Sequence, residues 1–201
     1  MCKKIFSRIL GIVAESRPLI GECPSIDKVI IIGYRATGKS TVGRLLAHRL
    51  GWDFVDLDEW IEEKTGKSIK RIVSEKGWGM FREIERSALR KMLDMKGPLV
   101  AACGGGAVIH KDIWDASLPD GSMVVWLRAR TDTISSRIDS DPLSVSRRPS
   151  LVSGKCLMNE IEVVAGEREP LYRKYADLSF DTDAMTPAEI VDLVVERIDS
   201  D

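Results

Sequence analysis

The stretch Gly33-Tyr34-Arg35-Ala36-Thr37-Gly38-Lys39-Ser40 satisfies each required position of G-x-x-x-x-G-K-[ST]. Gly33 and Gly38 free the backbone to turn, so that successive N–H groups face inward onto phosphate oxygens. Lys39 supplies a point charge for the β- and γ-phosphates, and the Ser40 hydroxyl suits Mg²⁺. A helix that opens here adds its positive N-terminal end. The triphosphate-binding stretch is therefore Gly33, Arg35, Ala36, Thr37, Gly38, Lys39, Ser40 and Thr41. A second GKS, Gly66-Lys67-Ser68, has Ile61 where the first loop glycine must stand, and is excluded. The loop specifies a nucleoside triphosphate but not a reaction. No N-K-x-D guanine-reading segment is present, and the length excludes a large motor ATPase. A small kinase for a metabolite or nucleotide remains.

Other residues could serve an acceptor. Asp56-Leu57-Asp58 closes a short β-type run, and on an extended segment two carboxylates two residues apart point the same way. One could hold a Mg²⁺ water and the other an acceptor hydroxyl; equally, Asp58 could only cap the next helix. Arg82 could fork onto a substrate carboxylate, braced by Glu85, or pair with Glu85 on a solvated face. Gly104-Gly105-Gly106 offers bare backbone to a ligand, or a tight turn. Arg168 is a second clamp or a surface arginine. Arg147 and Arg148, before Pro149, are lid arginines or solvated loop residues. Arg137 could meet the nucleotide.

The elements that must position these residues alternate in type. Lys28–Ile32 is a β-branched run ended by glycine, a buried strand. Ser40–Leu50 is helical and stops at Gly51. Asp53–Asp56 is a strand. Helices follow over Asp58–Thr65, Ser68–Lys76 and Trp78–Met95. Pro98–Cys103 and Met123–Leu127 are strands, and Thr131–Ile138 is helical. Residues 139–155, rich in serine and holding Pro142 and Pro149, read as a mobile lid. Leu157–Tyr175 is helical with a break near Pro170, Leu178–Asp181 is a strand, and Pro187–Ile198 a helix with proline in its first turn. This is the pattern of an α/β protein, three layers around a parallel sheet, with ligands at the carboxyl ends of the strands.

The 201 residues suit one domain, taken as 27–201, behind an N-terminal extension over 1–26. The extension reads as cytosolic or as a loosely packed leader, with a transit peptide as the other option. Thirty basic against thirty-one acidic residues give a net charge of −1, which argues against a general nucleic-acid binder. The longest charge-free stretch, Gly97 to His110, is too short to span a bilayer. Cys2, Cys23, Cys103 and Cys156 show no metal-ligand spacing and read as reduced thiols. A cytoplasmic monomer is expected.

Taken in order, GYRATGKST, DLD, IEEKTGKSI, FREIE, CGGGAV, RRPSL and REPLYRKY resemble the shikimate kinase family, over Val29 to about Ile198. The resemblance implies a nucleoside-kinase-like α/β core that moves the ATP γ-phosphate to the 3-hydroxyl of shikimate. It makes Asp58 the residue on the shikimate hydroxyls and the proposed base, and Asp56 the aspartate near Mg²⁺. Arg82 and Arg168 become the carboxylate clamps, and Gly104, Gly105 and Gly106 line the shikimate pocket. Arg148 becomes the lid arginine and Arg137 an ATP contact. Two segments depart from the pattern. The stretch between Arg137 and Arg148 is longer than in many members, and Asp181–Thr186 lacks the basic residue that some members place near adenine. A kinase for gluconate or quinate, or a non-catalytic homologue, are the alternatives.

Overall fold

The computed structural model describes residues 26–116, 118–140 and 157–200. The extension over 1–25, and Arg147 and Arg148 with the rest of the expected lid from 141 onward, lie outside the described residues.

Five strands form one sheet: β1 (Lys28–Ile32), β2 (Asp53–Asp56), β3 (Leu99–Ala102), β4 (Ser122–Arg128) and β5 (Leu178–Asp181). All neighbours are parallel, in the order β2-β3-β1-β4-β5. The β1 run KVIII is buried at every position, and its alternation splits the core. Ile30 and Ile32 join one cluster, with Leu57, Phe81 and Tyr172; Val29 and Ile31 join the other, with Leu46, Ile190 and Val194. A strand apolar on both faces requires helices on both faces, which makes three layers.

One face carries α2 (Leu57–Thr65), α3 (Ile69–Leu93) and the C-terminal half of α6 (Leu157–Tyr175); the other carries α1 (Lys39–Leu50) and α7 (Pro187–Ile198). Beneath the phosphate loop, Tyr34 packs on Ile134 and Ile138 of α5 (Thr131–Ser140) and on Ile161 and Val164 of α6. A 3₁₀ turn (Ala107–Ile109) and the short α4 (Lys111–Trp114) follow β3; the sequence reading did not find them.

Glycine and proline mark the helices in three different ways. The two helices expected around position 77 form one helical run whose backbone is non-helical only at Gly77 (φ 77°, ψ 169°). The excluded GKS proves to be punctuation: Gly66 ends α2 in the left-handed region, and the Ser68 side chain caps α3 at Arg71 N–H. The break expected at Pro170 does not occur, and α6 runs through it. Proline there frees only the Gly166 carbonyl, and both residues face solvent, where water can satisfy it. Helix α5 continues to Ser140, so the first two residues assigned to the lid are helical.

Candidate active site

The phosphate loop hangs between β1 and α1, at the carboxyl edge of the central strand. Gly33 has φ +142°, and a Cβ there would lie 2.2 Å from the Leu127 carbonyl oxygen of β4, so no other residue fits. Ala36 is the only non-glycine residue with positive φ (62°) among the described residues. Gly38 caps α1 with no side-chain oxygen, which leaves the first-turn N–H groups turned to the cleft. Lys39 is buried, and its Nζ donates to the Tyr34 carbonyl at 2.7 Å. Thr37 Oγ1 donates to the same carbonyl at 2.8 Å.

A cleft of about 580 Å³ opens on this loop and is lined by residues 35–41, Asp56, Asp58, Arg137, Met185 and Pro187, among others. That volume suits a small-molecule ligand. Arg137 reaches from α5 to the loop: Nη1 donates to the Ala36 carbonyl (3.2 Å) and to Thr182 Oγ1 (2.9 Å), and Nη2 to the Thr182 carbonyl (2.9 Å). Cys103 also lines the cleft; it is a free cysteine, and burial pushes its thiol far up, so it stays protonated. The other three cysteines lie outside the described residues.

The structure corrects the reading of Asp56 and Asp58. They do not share an extended segment: Asp56 ends β2, and Asp58 is already in the first turn of α2. Asp56 is itself the helix cap, its Oδ1 accepting from Asp58 N–H (3.0 Å) and Glu59 N–H (3.4 Å). Its Oδ2 accepts from the Ser40 hydroxyl at 2.5 Å, so the two hard oxygen donors expected for Mg²⁺ meet. The Asp58 side chain lies over Gly104, where a Cβ would come 2.7 Å from its Oδ1.

A second, narrower pocket lies beyond Asp58, between α3 and the glycine turn, and includes Arg82, Glu85, Gly105, Gly106 and Arg168. Arg82 Nη1 donates to Glu85 Oε2 at 2.5 Å, and the guanidinium lies over Trp78 (5.2 Å) and Phe81 (5.3 Å). Glu85 is 1% exposed, so this is not the solvated-face pair. A buried carboxylate and two aromatic faces fix the fork in place. Gly106 must be small, because a Cβ there would sit 2.1 Å from Arg82 Nη1. Arg168 Nη1 donates to the Gly105 carbonyl at 3.0 Å.

Sequence reasoning missed four contributors. Tyr172 donates its hydroxyl to the Gly105 carbonyl at 2.6 Å, and burial pushes that phenol up, holding it as a donor. His110, buried after the 3₁₀ turn, has Nε2 3.0 Å from Glu85 Oε2. Thr182 holds Arg137. Glu160, 1% exposed on α6, pairs with Arg35 at 2.8 Å. For the last a signal existed: Glu160, Val164, Arg168 and Tyr172 recur every four residues, so a carboxylate shares one stripe with apolar and site residues.

Comparison with known proteins gives the family. Residues 35–199 match the family model described as shikimate kinase. A shikimate kinase of Syntrophus aciditrophicus (strain SB) is 40% identical over 179 residues, which cover 86% of this chain and 91% of that protein. One from Oleidesulfovibrio alaskensis (strain ATCC BAA-1058 / DSM 17464 / G20) is 40% identical over 166 residues, covering 83% and 93%. The structure of shikimate kinase from Acinetobacter baumannii in complex with shikimate superposes with a TM-score of 0.76 at 28% identity, covering 88% of this chain and 94% of that one. With a phosphate loop, a capping aspartate and a braced arginine in one continuous arrangement, and with these relatives matching over most of its length, the chain belongs to the shikimate kinase family.

Proposed function

We propose that this chain transfers the γ-phosphoryl group of ATP to the 3-hydroxyl of shikimate, giving shikimate 3-phosphate and ADP. One observation carries the reading most directly. Asp58 lines both the phosphate-loop cleft and the pocket that holds Arg82 and Arg168, so one carboxylate stands where an acceptor hydroxyl must meet a triphosphate. Shikimate is a small carboxylate bearing hydroxyls, and it needs cationic forks at one end and a hydroxyl acceptor at the other.

In this mechanism Arg82 and Arg168 hold the substrate carboxylate, and the walls at Gly104, Gly105 and Gly106 leave room for the ring. Asp58 orients the 3-hydroxyl. Its oxygen bonds to the γ-phosphorus while the bond from that phosphorus to the β,γ-bridging oxygen breaks, and ADP leaves with the electron pair. The hydroxyl proton passes to the Asp58 carboxylate. Lys39 and the loop N–H groups offset the charge on the phosphate oxygens. Ser40 and Asp56 would hold Mg²⁺, since a hydroxyl and a carboxylate oxygen in contact suit a hard cation that also keeps waters and phosphate oxygens. Bound there, it would neutralise charge across the β- and γ-phosphates. Arg137 contacts the nucleotide beside Ala36, and Arg148 supplies a lid charge, a role that rests on the family resemblance. Among the described residues no helix is long and apolar enough to cross a membrane.

The test is ATP consumption by the purified chain with Mg²⁺ and, in parallel, shikimate, quinate or gluconate. Turnover with shikimate alone is expected. Turnover with another acid instead, or ATP binding with no turnover, would overturn the assignment.

A further inference from the structure

Arg35 stands at a place that neither the phosphate-loop pattern nor the acceptor clamps explain. Together with Asp58 and Ile69, it lines both the nucleotide cleft and the acceptor pocket. Its backbone also joins the two halves, because a Cβ on Gly105 would lie 3.1 Å from Arg35 N. The boundary that a phosphoryl group must cross therefore has a carboxylate on one side and a guanidinium on the other.

The state of that guanidinium is unusual. Its side chain is 11% exposed. Among the described residues its one well-formed hydrogen bond runs from Nη2 to Glu160 Oε1 at 2.8 Å, and the guanidinium lies over the Tyr34 ring at 5.8 Å, beside the Tyr34 hydroxyl. Its Nε is buried with no well-formed bond among the described residues. A buried N–H left unpaired is costly, and such a group invites an explanation. A guanidinium carries five N–H donors. Glu160, itself 1% exposed, engages Nη2, while Arg35 lines both pockets at their junction.

We propose that Arg35 is a further catalytic residue, whose guanidinium donates to the non-bridging oxygens of the phosphoryl group as it crosses from nucleotide to acceptor, with Glu160 as its positioning residue. The assignment rests on the kinase reading above. The loose transition state of phosphoryl transfer spreads negative charge over three equatorial oxygens, and donors fixed beforehand stabilise it without reorganising. Glu160 supplies that fixity. It sits near the start of α6, the helix that also presents Arg168 and Tyr172 to Gly105. One helix thus sets both the carboxylate clamp and the boundary arginine.

Removing Arg35 alone would take a cation from beside a buried carboxylate and threaten the fold, so the decisive variant neutralises both partners, Arg35→Met with Glu160→Gln. With the unaltered chain turning over shikimate as control, this double variant is expected to keep its melting temperature within a few degrees. Its kcat should fall by about 30- to 100-fold while KM for ATP and for shikimate changes less than about threefold. Glu160→Gln alone, which keeps the guanidinium and an accepting oxygen, should lose about three- to tenfold in kcat at unchanged KM. A folded double variant with the kcat of the unaltered chain would overturn the assignment and leave the pair a structural contact. So would a loss confined to KM. If the double variant fails to fold, Glu160→Gln decides: unchanged kcat and KM would reject the positioning role, and a kcat loss at unchanged KM would support it. An unaltered chain that binds ATP but turns over nothing would fell the kinase reading instead, and this proposal with it.

Discussion

On the nucleotide side, the loop that lines the cleft runs from Arg35 to Thr41 without a break, held by one strand and one helix. On the acceptor side, Asp58, Arg82, Gly106 and Arg168 come from α2, α3, the turn after β3, and α6. The first half is a backbone device, whose shape comes from a turn that excludes side chains. The second is a side-chain device, whose shape comes from long-range packing. Contiguous chemistry carries its own context in the sequence, and dispersed chemistry does not. The largest expected effect tests the contiguous half. Lys39→Met should cut kcat by about 10³-fold, because a fixed charge is lost from the phosphates. The Nζ donates to the Tyr34 carbonyl within the loop itself, and a melting temperature taken alongside separates a loss of fold from a loss of turnover. Near-normal kcat would remove Lys39 from the reaction.

The two halves should also fail differently when a glycine gains a methyl group. At Gly33 the intruding Cβ meets the backbone oxygen of Leu127, and φ is +142°, so alanine there strains the fold itself. At Gly106 the backbone is ordinary (φ −98°), and the three atoms nearest the Cβ all belong to the tip of the Arg82 side chain. Gly106→Ala should therefore fold with a near-normal melting temperature, while shikimate KM rises roughly 10- to 100-fold as the clamp loses one or two charged hydrogen bonds. ATP KM should stay unchanged. A rise in both KM values would mean that the halves are not separable.

Arg82→Lys asks a finer question of the same clamp. Lysine keeps the charge but loses the planar fork that sits between Glu85 and the two aromatic rings. A roughly tenfold rise in shikimate KM with little change in kcat is expected. An unchanged KM would return Arg82 to a purely structural pair with Glu85.

The same contrast explains what the sequence alone could tell. The strands were legible because β1 and β4 are apolar on both faces, and the phosphate loop because glycine, lysine and serine fall at fixed offsets. Arg82 and Glu85 were not separable from a solvated pair until burial showed Glu85 enclosed with His110 behind it. Asp56 and Asp58 were misread because spacing by two suits a strand, whereas the helix begins one residue earlier and turns the second carboxylate toward Gly104. Pro170 misled because a proline signals a break unless its freed carbonyl can reach water. Only the Arg82–Glu85 ambiguity lies where tertiary packing overrides a local rule; the other two errors are local, a helix start and a solvated carbonyl.

The smallest effect concerns the wall of the nucleotide side. Met185, Pro187 and Ile190 line the cleft, the last two from α7, which starts with a capping box. Thr186 Oγ1 accepts from Glu189 N–H at 3.3 Å, and Glu189 Oε2 accepts from Thr186 N–H at 2.8 Å. That backbone donor, then the Thr186 hydroxyl, holds the Glu189 carboxyl below its usual 4.5. A carboxyl lowered in the folded state contributes stability above its unfolded pKa and loses it as pH falls through the folded value. Glu189→Ala should therefore lower the melting temperature by a few degrees near about pH 7, and the gap to the unaltered chain should narrow as pH drops below about 4. The acceptor half carries no part of this box, so shikimate KM should not move, whereas ATP KM should rise slightly as the cleft wall loosens. A melting gap constant across pH would show that helix propensity, not the carboxylate cap, sets the start of α7. An equal rise in both KM values would place the α7 wall in contact with the acceptor pocket, contrary to the division between backbone and side-chain devices.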